Sequence, residues 1–323
     1  MNRYPEAEFP KTILRPEIVA KHEELIRVLE GTVEDYAKIG RRDSSMFDWT
    51  LRVIENLGLS TVDPQYLCSL SVIKTKFALW EVLLDDLVDN VNARNFKLFD
   101  ELLNIPFEPE HINLSKLNAE ESKYLEITKT IWNSLISEIE RYPKYKKYKN
   151  AFDFDVLQLL NALRYSKLVN ESSNLTNIIE NEAYVPHSMQ IMIQMDLDLM
   201  CSNEFNDSEL GDLRQLNYLS QKMAKIGNLI GTYPRELIES DMSSEAVVKF
   251  VKEHGNDFRF KLNKLLNKES RYPKFEEEII EEWQKLYWLA KETAKEIKSI
   301  DTDRFLQERE FIQEVYQKKA DLW

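Results

Sequence analysis

The chain has 323 residues with only 7 Gly and 10 Pro, together about 5% where ordinary usage is roughly 12%, so the tight turns that many short strands require are scarce and an all-α fold is expected. Glycine this sparse leaves no GxGxxG and no Walker-type phosphate loop, which removes Rossmann and P-loop nucleotide binding. The 43 Lys and Arg against 56 Asp and Glu leave a net charge of −13, which repels nucleic acid at long range.

Pro5, Pro10 and Pro16 make residues 1–16 an extended arm. Beyond it, a 3.6-residue periodicity predicts helices near 17–38, 44–57, 64–90, 119–140, 150–168, 177–200, 208–240, 274–299 and 302–320. Polar breaks at Asn104 to Pro109, Arg141 to Pro143, Glu171 to Asn174, Ser202 to Asp207, Ser240 to Ser244 and Arg271 to Pro273 separate them. No segment repeats and no helix keeps strict heptads, so residues 17–323 are expected to form a single all-α domain. The basic run Lys144 to Lys149 is expected to be a solvated loop face.

The amino terminus has no apolar signal core, and the richest apolar stretch, Tyr66 to Leu84, is interrupted by Lys74, Lys76 and Glu81. Neither a secretory signal nor a stable membrane span is therefore expected. Cys68 and Cys201 both lie in apolar stretches and are too few for a disulfide framework, which fits reduced thiols in a cytoplasm.

Two motifs carry chemistry. Asp85-Asp86-Leu87-Val88-Asp89 ends an apolar helix, and its three carboxylates share one face at spacings of three and four. Like charges there repel each other and oppose the negative end of the helix dipole, at about 0.3–1 kcal/mol each. A divalent cation would compensate, and hard oxygen ligands of this kind suit Mg²⁺. Farther along, Asn228, Thr232 and Glu236 are four apart and form a polar stripe of amide, hydroxyl and carboxylate over about two turns. Facing the aspartates across a bundle, this stripe would complete a set of metal ligands. Each motif alone arises easily by chance, whereas the pair, each on a strongly helical segment, is more informative.

The order and spacing of Asp85-Asp86-Leu87-Val88-Asp89 and Asn228-Leu229-Ile230-Gly231-Thr232-Tyr233-Pro234-Arg235-Glu236 resemble the two signatures of microbial class I terpene synthases, over essentially the whole chain. The resemblance implies a single-domain α-helical bundle around an apolar cavity. It also implies three Mg²⁺ bridging Asp85, Asp86, Asp89, Asn228, Thr232 and Glu236 to the diphosphate of a prenyl substrate such as farnesyl or geranylgeranyl diphosphate. Loss of diphosphate would leave an allylic carbocation that cyclises to a hydrocarbon or alcohol. Arg235, beside Glu236, and Arg304, in Arg304-Phe305, match cations that touch the diphosphate in such enzymes. No Arg occurs between Arg164 and Arg214, where family members carry a diphosphate-sensing arginine near the position of Glu182, so that the sensor is either missing or replaced by His187, Arg164 or a lysine.

Pro186 is expected to break a helix beside the cavity, and Pro234 to kink the stripe helix or end it at Tyr233. Phe77, Trp80, Tyr184, Tyr233, Trp283, Tyr287 and Trp288 are candidate pocket aromatics that would steady a cation through their ring faces, against the plainer reading of core packing. Expected partners are the prenyl diphosphate and, at most, a second copy of the chain. Three alternatives stand beside the cyclase. One is a class I enzyme fed a bicyclic diphosphate by a class II cyclase. Another is a chain-elongating prenyltransferase, for which Asp196-Leu197-Asp198 is too short a second acidic motif. The third is a non-catalytic helical protein.

Overall fold

The buried helix Leu67–Asp85 is apolar on all sides, which requires other helices to surround it. The computed structural model describes residues 14–43, 45–89, 94–239, 241–255 and 273–320, and these are 78% helical with no strands. In chain order the helices are α1 (Pro16–Val19), α2 (His22–Ala37), α3 (Ser45–Glu55), α4 (Leu67–Asp85), α5 (Phe96–Leu102), α6 (Ala119–Ile139), α7 (Tyr145–Glu171), α8 (Ile178–Tyr184), α9 (Ile191–Met200), α10 (Leu210–Glu239), α11 (Glu245–His254), α12 (Pro273–Ala294) and α13 (Thr302–Ala320). The all-α expectation is met. No helix among the described residues is long and apolar enough to cross a membrane.

Helices α2, α3, α6 and α9 pack around α4, while α10 packs mainly on α12 and α13. One contiguous apolar core runs from Ile18 to Leu306. At its centre Trp80 lies 4.6 Å from Trp132 and 5.7 Å from Phe77, ring centre to ring centre, with Phe152 beside Phe77. Side-chain caps set several helix starts: Asn118 and Glu121 form a reciprocal capping box on α6, and Asn95 and Asn177 cap α5 and α8.

Several expected boundaries move. Residues 1–13 of the arm, and Arg271-Tyr272 of the last expected break, lie outside the described residues. The end of the arm is held: Leu14 N donates to Asn56 Oδ1 at 3.0 Å and Arg15 Nη1 to the Leu57 carbonyl at 2.6 Å. Lys144 to Lys149 is not a loop, because α7 begins at Tyr145 and its lysines find acceptors in Asp207 and Asp153. The segment 177–200 divides as Pro186 predicts, into α8, a 3₁₀ turn over Val185–Met189 and α9, with Gln190 in the left-handed region at φ 59°. Pro234, by contrast, neither ends nor divides α10. Helices α5 and α11 are additional.

The α2–α3 contact contains a buried charge cluster. His22 meets Glu55 Oε1 through Nδ1 at 2.7 Å and Asp48 Oδ1 through Nε2 at 2.9 Å. Burial alone would lower its pKa, but hydrogen bonds to Asp48 and Glu55 outweigh that and raise it to about 9. A native pKa raised above the ordinary 6.5 makes the imidazolium's contribution, roughly 2–3 kcal/mol, fully present below pH 6.5 and lost as pH rises through 9. Urea unfolding across pH 6–10 is expected to show that decline in the native chain, and His22→Gln is expected to be destabilised at pH 6 and nearly flat above it.

Candidate active site at the end of α4

Asp85 is the last residue of α4, and the turn beyond it keeps helical geometry, since Asp89 N still donates to the Asp85 carbonyl at 3.1 Å. The three aspartates therefore share one face as expected. Arg42, from the segment after α2, lies across them: its Nη2 donates to Asp85 Oδ2 and its Nε to Asp86 Oδ1 at 2.7 Å. Tyr36 Oη donates weakly to Asp86 Oδ2 at 3.4 Å and accepts from Arg42 N at 3.1 Å.

The second motif is also aligned. Thr232 Oγ1 lies 2.6 Å from Glu236 Oε1 and 2.9 Å from the Asn228 carbonyl, so the stripe survives Pro234. Proline removes one backbone donor, and the remaining ladder together with the Thr232–Glu236 bond carries the helix past it. Ser244 Oγ donates to Glu236 Oε2 at 2.6 Å.

A polar relay joins the two motifs. Arg94 Nε donates to the Val88 carbonyl at 2.9 Å, and Arg94 Nη2 to Asn170 Oδ1 at 2.7 Å. Asn170 Nδ2 in turn donates to Asp241 Oδ1 at 3.0 Å, and Ser243 holds the same oxygen through its backbone N–H and hydroxyl. Asp241 follows directly on the end of α10, and its charge acts on Asp89 while that of Glu236 acts on Asp241. The aspartate turn and the stripe thus belong to one electrostatic site.

That site holds more negative charge than its cations balance. Burial, Asp241 and Asp85 push the Asp89 carboxyl well above the usual carboxylate range, so that it keeps its proton and donates a hydrogen bond to the Asp85 carboxylate, and among the described residues its Oδ1 is buried without a partner. Burial and Asp85 raise Glu81 in the same way, against the opposing fields of Arg42 and Lys225. Burial and Glu236 raise Asp241. Asp85 alone is lowered: burial would raise it, but Arg42 and the hydrogen bond from Asp89 prevail, with help from Arg235.

Other expected site residues lie elsewhere. Arg235 is on the same end of α10, exposed and 3.2 Å from Glu239. Arg304 is not at this end: it starts α13, 3.3 Å from Glu308, whose other oxygen accepts from Gly58 N. His187 sits beside Tyr218 and Gln221, two turns before Asn228, and burial lowers its pKa, so it offers a neutral ring rather than a cation. Phe77 and Trp80 are sealed in the aromatic core. Tyr233 is also fully buried, its hydroxyl donating to Glu276. Trp283 stacks on Tyr287. Tyr184 and Trp288 are 40% and 61% exposed. A cavity near the site, where Pro186 breaks the helix beside Lys225 and Ile226, holds only about 20 Å³, room for a water or two rather than a prenyl chain. The wide apolar cavity expected from the resemblance is not open there.

Arg42, Arg94, Asn170, Lys225 and Asp241 complete the site and were not singled out by sequence. Glu81 was legible only as a charge interrupting an apolar run, one turn before Asp85.

The donor chemistry fits a hard divalent cation: clustered carboxylates, one with an orphaned buried oxygen, beside an amide and a hydroxyl. Among the described residues, however, no three acidic, imidazole or thiol groups converge closely enough to hold one, since Arg42 occupies Asp85 and Asp86. The chain matches no protein-family model and no curated protein sequence.

Because Asp89 has a raised native pKa, its contribution to stability is present below its ordinary 3.8 and lost as pH rises through the native value. At neutral pH and without divalent metal, Asp89→Asn is therefore expected to raise the Tm by roughly 2–4 °C. Added Mg²⁺ is expected to raise the native Tm and to move that of Asp89→Asn little, as differential scanning fluorimetry would record.

Proposed function

We propose that this protein is a Mg²⁺-dependent class I terpene cyclase that ionises a linear prenyl diphosphate and closes the resulting cation into a terpene hydrocarbon or alcohol. The observation that carries the reading is the relay Arg94–Asn170–Asp241, which ties the Asp85–Asp89 turn to the end of the helix that bears Asn228, Thr232 and Glu236. An acidic crowd with an orphaned carboxylate oxygen and two nearby cations, Lys225 and Arg235, suits a metal-bound anion better than it suits an empty surface.

Asp85, Asp89, Asn228, Thr232 and Glu236 would hold Mg²⁺, which when bound supplies Lewis-acid stabilisation of the departing diphosphate. Lys225 and Arg235 would add positive charge around that leaving group. Arg42 must release Asp85 to free its oxygens, so its ion pairs hold the acidic turn together before the substrate arrives. The break at Pro186 and Gln190 would lie next to the chain of the substrate, where Gln190 Nε2 already reaches Glu81 at 3.3 Å.

A second reading, a non-catalytic helical protein, is favoured by two observations: Arg42 neutralises two of the three aspartates, and the core is filled by Phe77, Trp80, Trp132 and Phe152. Incubation with Mg²⁺ and C10, C15, C20, C25 or bicyclic diphosphates, with analysis of volatiles and of released pyrophosphate, separates the two. A cyclised product from one substrate is expected, with activity abolished in Asp85→Ala and reduced at least about 100-fold in Asn228→Ala. Elongated diphosphates would indicate a prenyltransferase, and no turnover of any substrate would leave the non-catalytic reading.

A further inference from the structure

The other half of α4 borders a cluster of opposite sign. Lys74 Nζ pairs with Asp198 Oδ1 at 2.6 Å, and Leu59 N donates to Asp198 Oδ2 at 3.0 Å. Around them lie Arg15, Arg304, Arg309 and Glu308. Arg15, Lys74, Asp198, Glu308 and Arg309 are each at most 6% exposed. Four cations therefore face two buried carboxylates, and of the exposed acids at the rim Glu17 Oε1 lies 4.0 Å from Arg15 Nε while Asp301 accepts from Arg304 N.

The pairing within the cluster is incomplete. Arg304 Nε is 3.3 Å from Glu308 Oε1 without forming a hydrogen bond, and Arg309 Nη2 reaches Glu308 Oε2 only at 3.4 Å. Among the described residues three buried guanidinium nitrogens, Arg15 Nε, Arg304 Nε and Arg304 Nη2, make no hydrogen bond, and one unpartnered acceptor, Glu308 Oε1, stands beside Arg304 Nε. Buried donors of this kind ordinarily have partners. The positive charges also act on one another, since burial first and then Arg304 lower the pKa of Arg15.

Beside the cluster is a cavity of about 20 Å³ lined by Lys74, Asp198 and Arg309 with Gly58, Asn217 and Phe305. Its size admits a particle little larger than a water and excludes a prenyl chain or a nucleotide. Gly58 opens this corner: its φ of +143° is glycine-only geometry, and a Cβ there would lie 2.5 Å from Arg15 Nη1.

We propose that this cavity binds a chloride ion, which balances the surplus of Arg15, Lys74, Arg304 and Arg309 over Asp198 and Glu308. The site lies at the other end of the helix from the aspartate turn and does not depend on the terpene cyclase reading. Ligand bound only by the native state raises stability saturably, whereas screening follows ionic strength whatever the anion.

The test is thermal unfolding in sodium isethionate at fixed ionic strength, with chloride, bromide or phosphate replacing it stepwise. A saturating rise in Tm with chloride and bromide, absent with phosphate, is expected. Arg309→Gln and Arg304→Gln each reduce the surplus, so each is expected to lose most of the chloride response while being no less stable than the native chain in isethionate. A crystal soaked in bromide is expected to give an anomalous peak at the cavity. A Tm that tracks ionic strength alone, equal chloride responses in both variants and the native chain, or a bromide-soaked crystal without a peak at the cavity would each overturn the assignment.

Discussion

The constraint on which the candidate site depends is the confinement of carboxylates at one helix end. Glu81, Asp85, Asp86, Asp89 and Asp241 lie in or against a dry interior, where each charge costs several kcal/mol unless it is paired. Arg42 settles Asp85 and Asp86, and the remaining groups respond by keeping protons: Asp89 and Glu81 are both pushed toward the neutral acid. A fold selected for stability alone would have used amides or apolar side chains there. Strongly displaced carboxyl groups are commonest at functional sites, and that tendency is what supports the metal site proposed above.

The polar relay explains how this crowding is kept in register. Arg94 holds the carbonyls that follow the aspartate turn, and Asn170 passes the contact to Asp241 and to the Met242 amide. Asn170 uses both faces of its amide, so neither helix end moves independently. The neutral amide of Asn170 stands between the charged ends of the relay, Arg94 and Asp241, and so joins them without a direct ion pair.

The helical class and most of the helices were legible because glycine scarcity and a 3.6-residue period are properties of local sequence. Helices α5, seven residues long, and α11, ten, are too short to carry a period. The aspartate turn and the Asn228–Thr232–Glu236 stripe were legible for the same reason, being single-helix patterns. Arg42, Asn170 and Asp241 were not, because they reach the site through tertiary packing: Arg42 and Asp241 stand in segments with no pattern of their own, and Asn170 is one polar residue near the end of a long helix. Arg304 shows the converse error: a dipeptide resemblance placed it at the diphosphate, yet α13 begins at the far end of the bundle and commits it to Glu308. Pro186 and Pro234 show the limit of reading proline locally. The first divides a helix whose neighbours accept a bend, and the second is absorbed because Thr232 and Glu236 bond across it.

Charge is thus segregated along α4. Lys74 and its arginine neighbours are eleven residues before Asp85, about 16 Å at 1.5 Å per residue. The space between is filled by Phe77 and Trp80 rather than by polar groups. At that separation no direct ion pair can join the cation surplus at one end to the acid surplus at the other. Under the proposed readings each end takes its own counter-charge, a divalent cation for the carboxylates and a small anion for the guanidinium groups. The aromatic core that separates them is the element that keeps these two requirements independent.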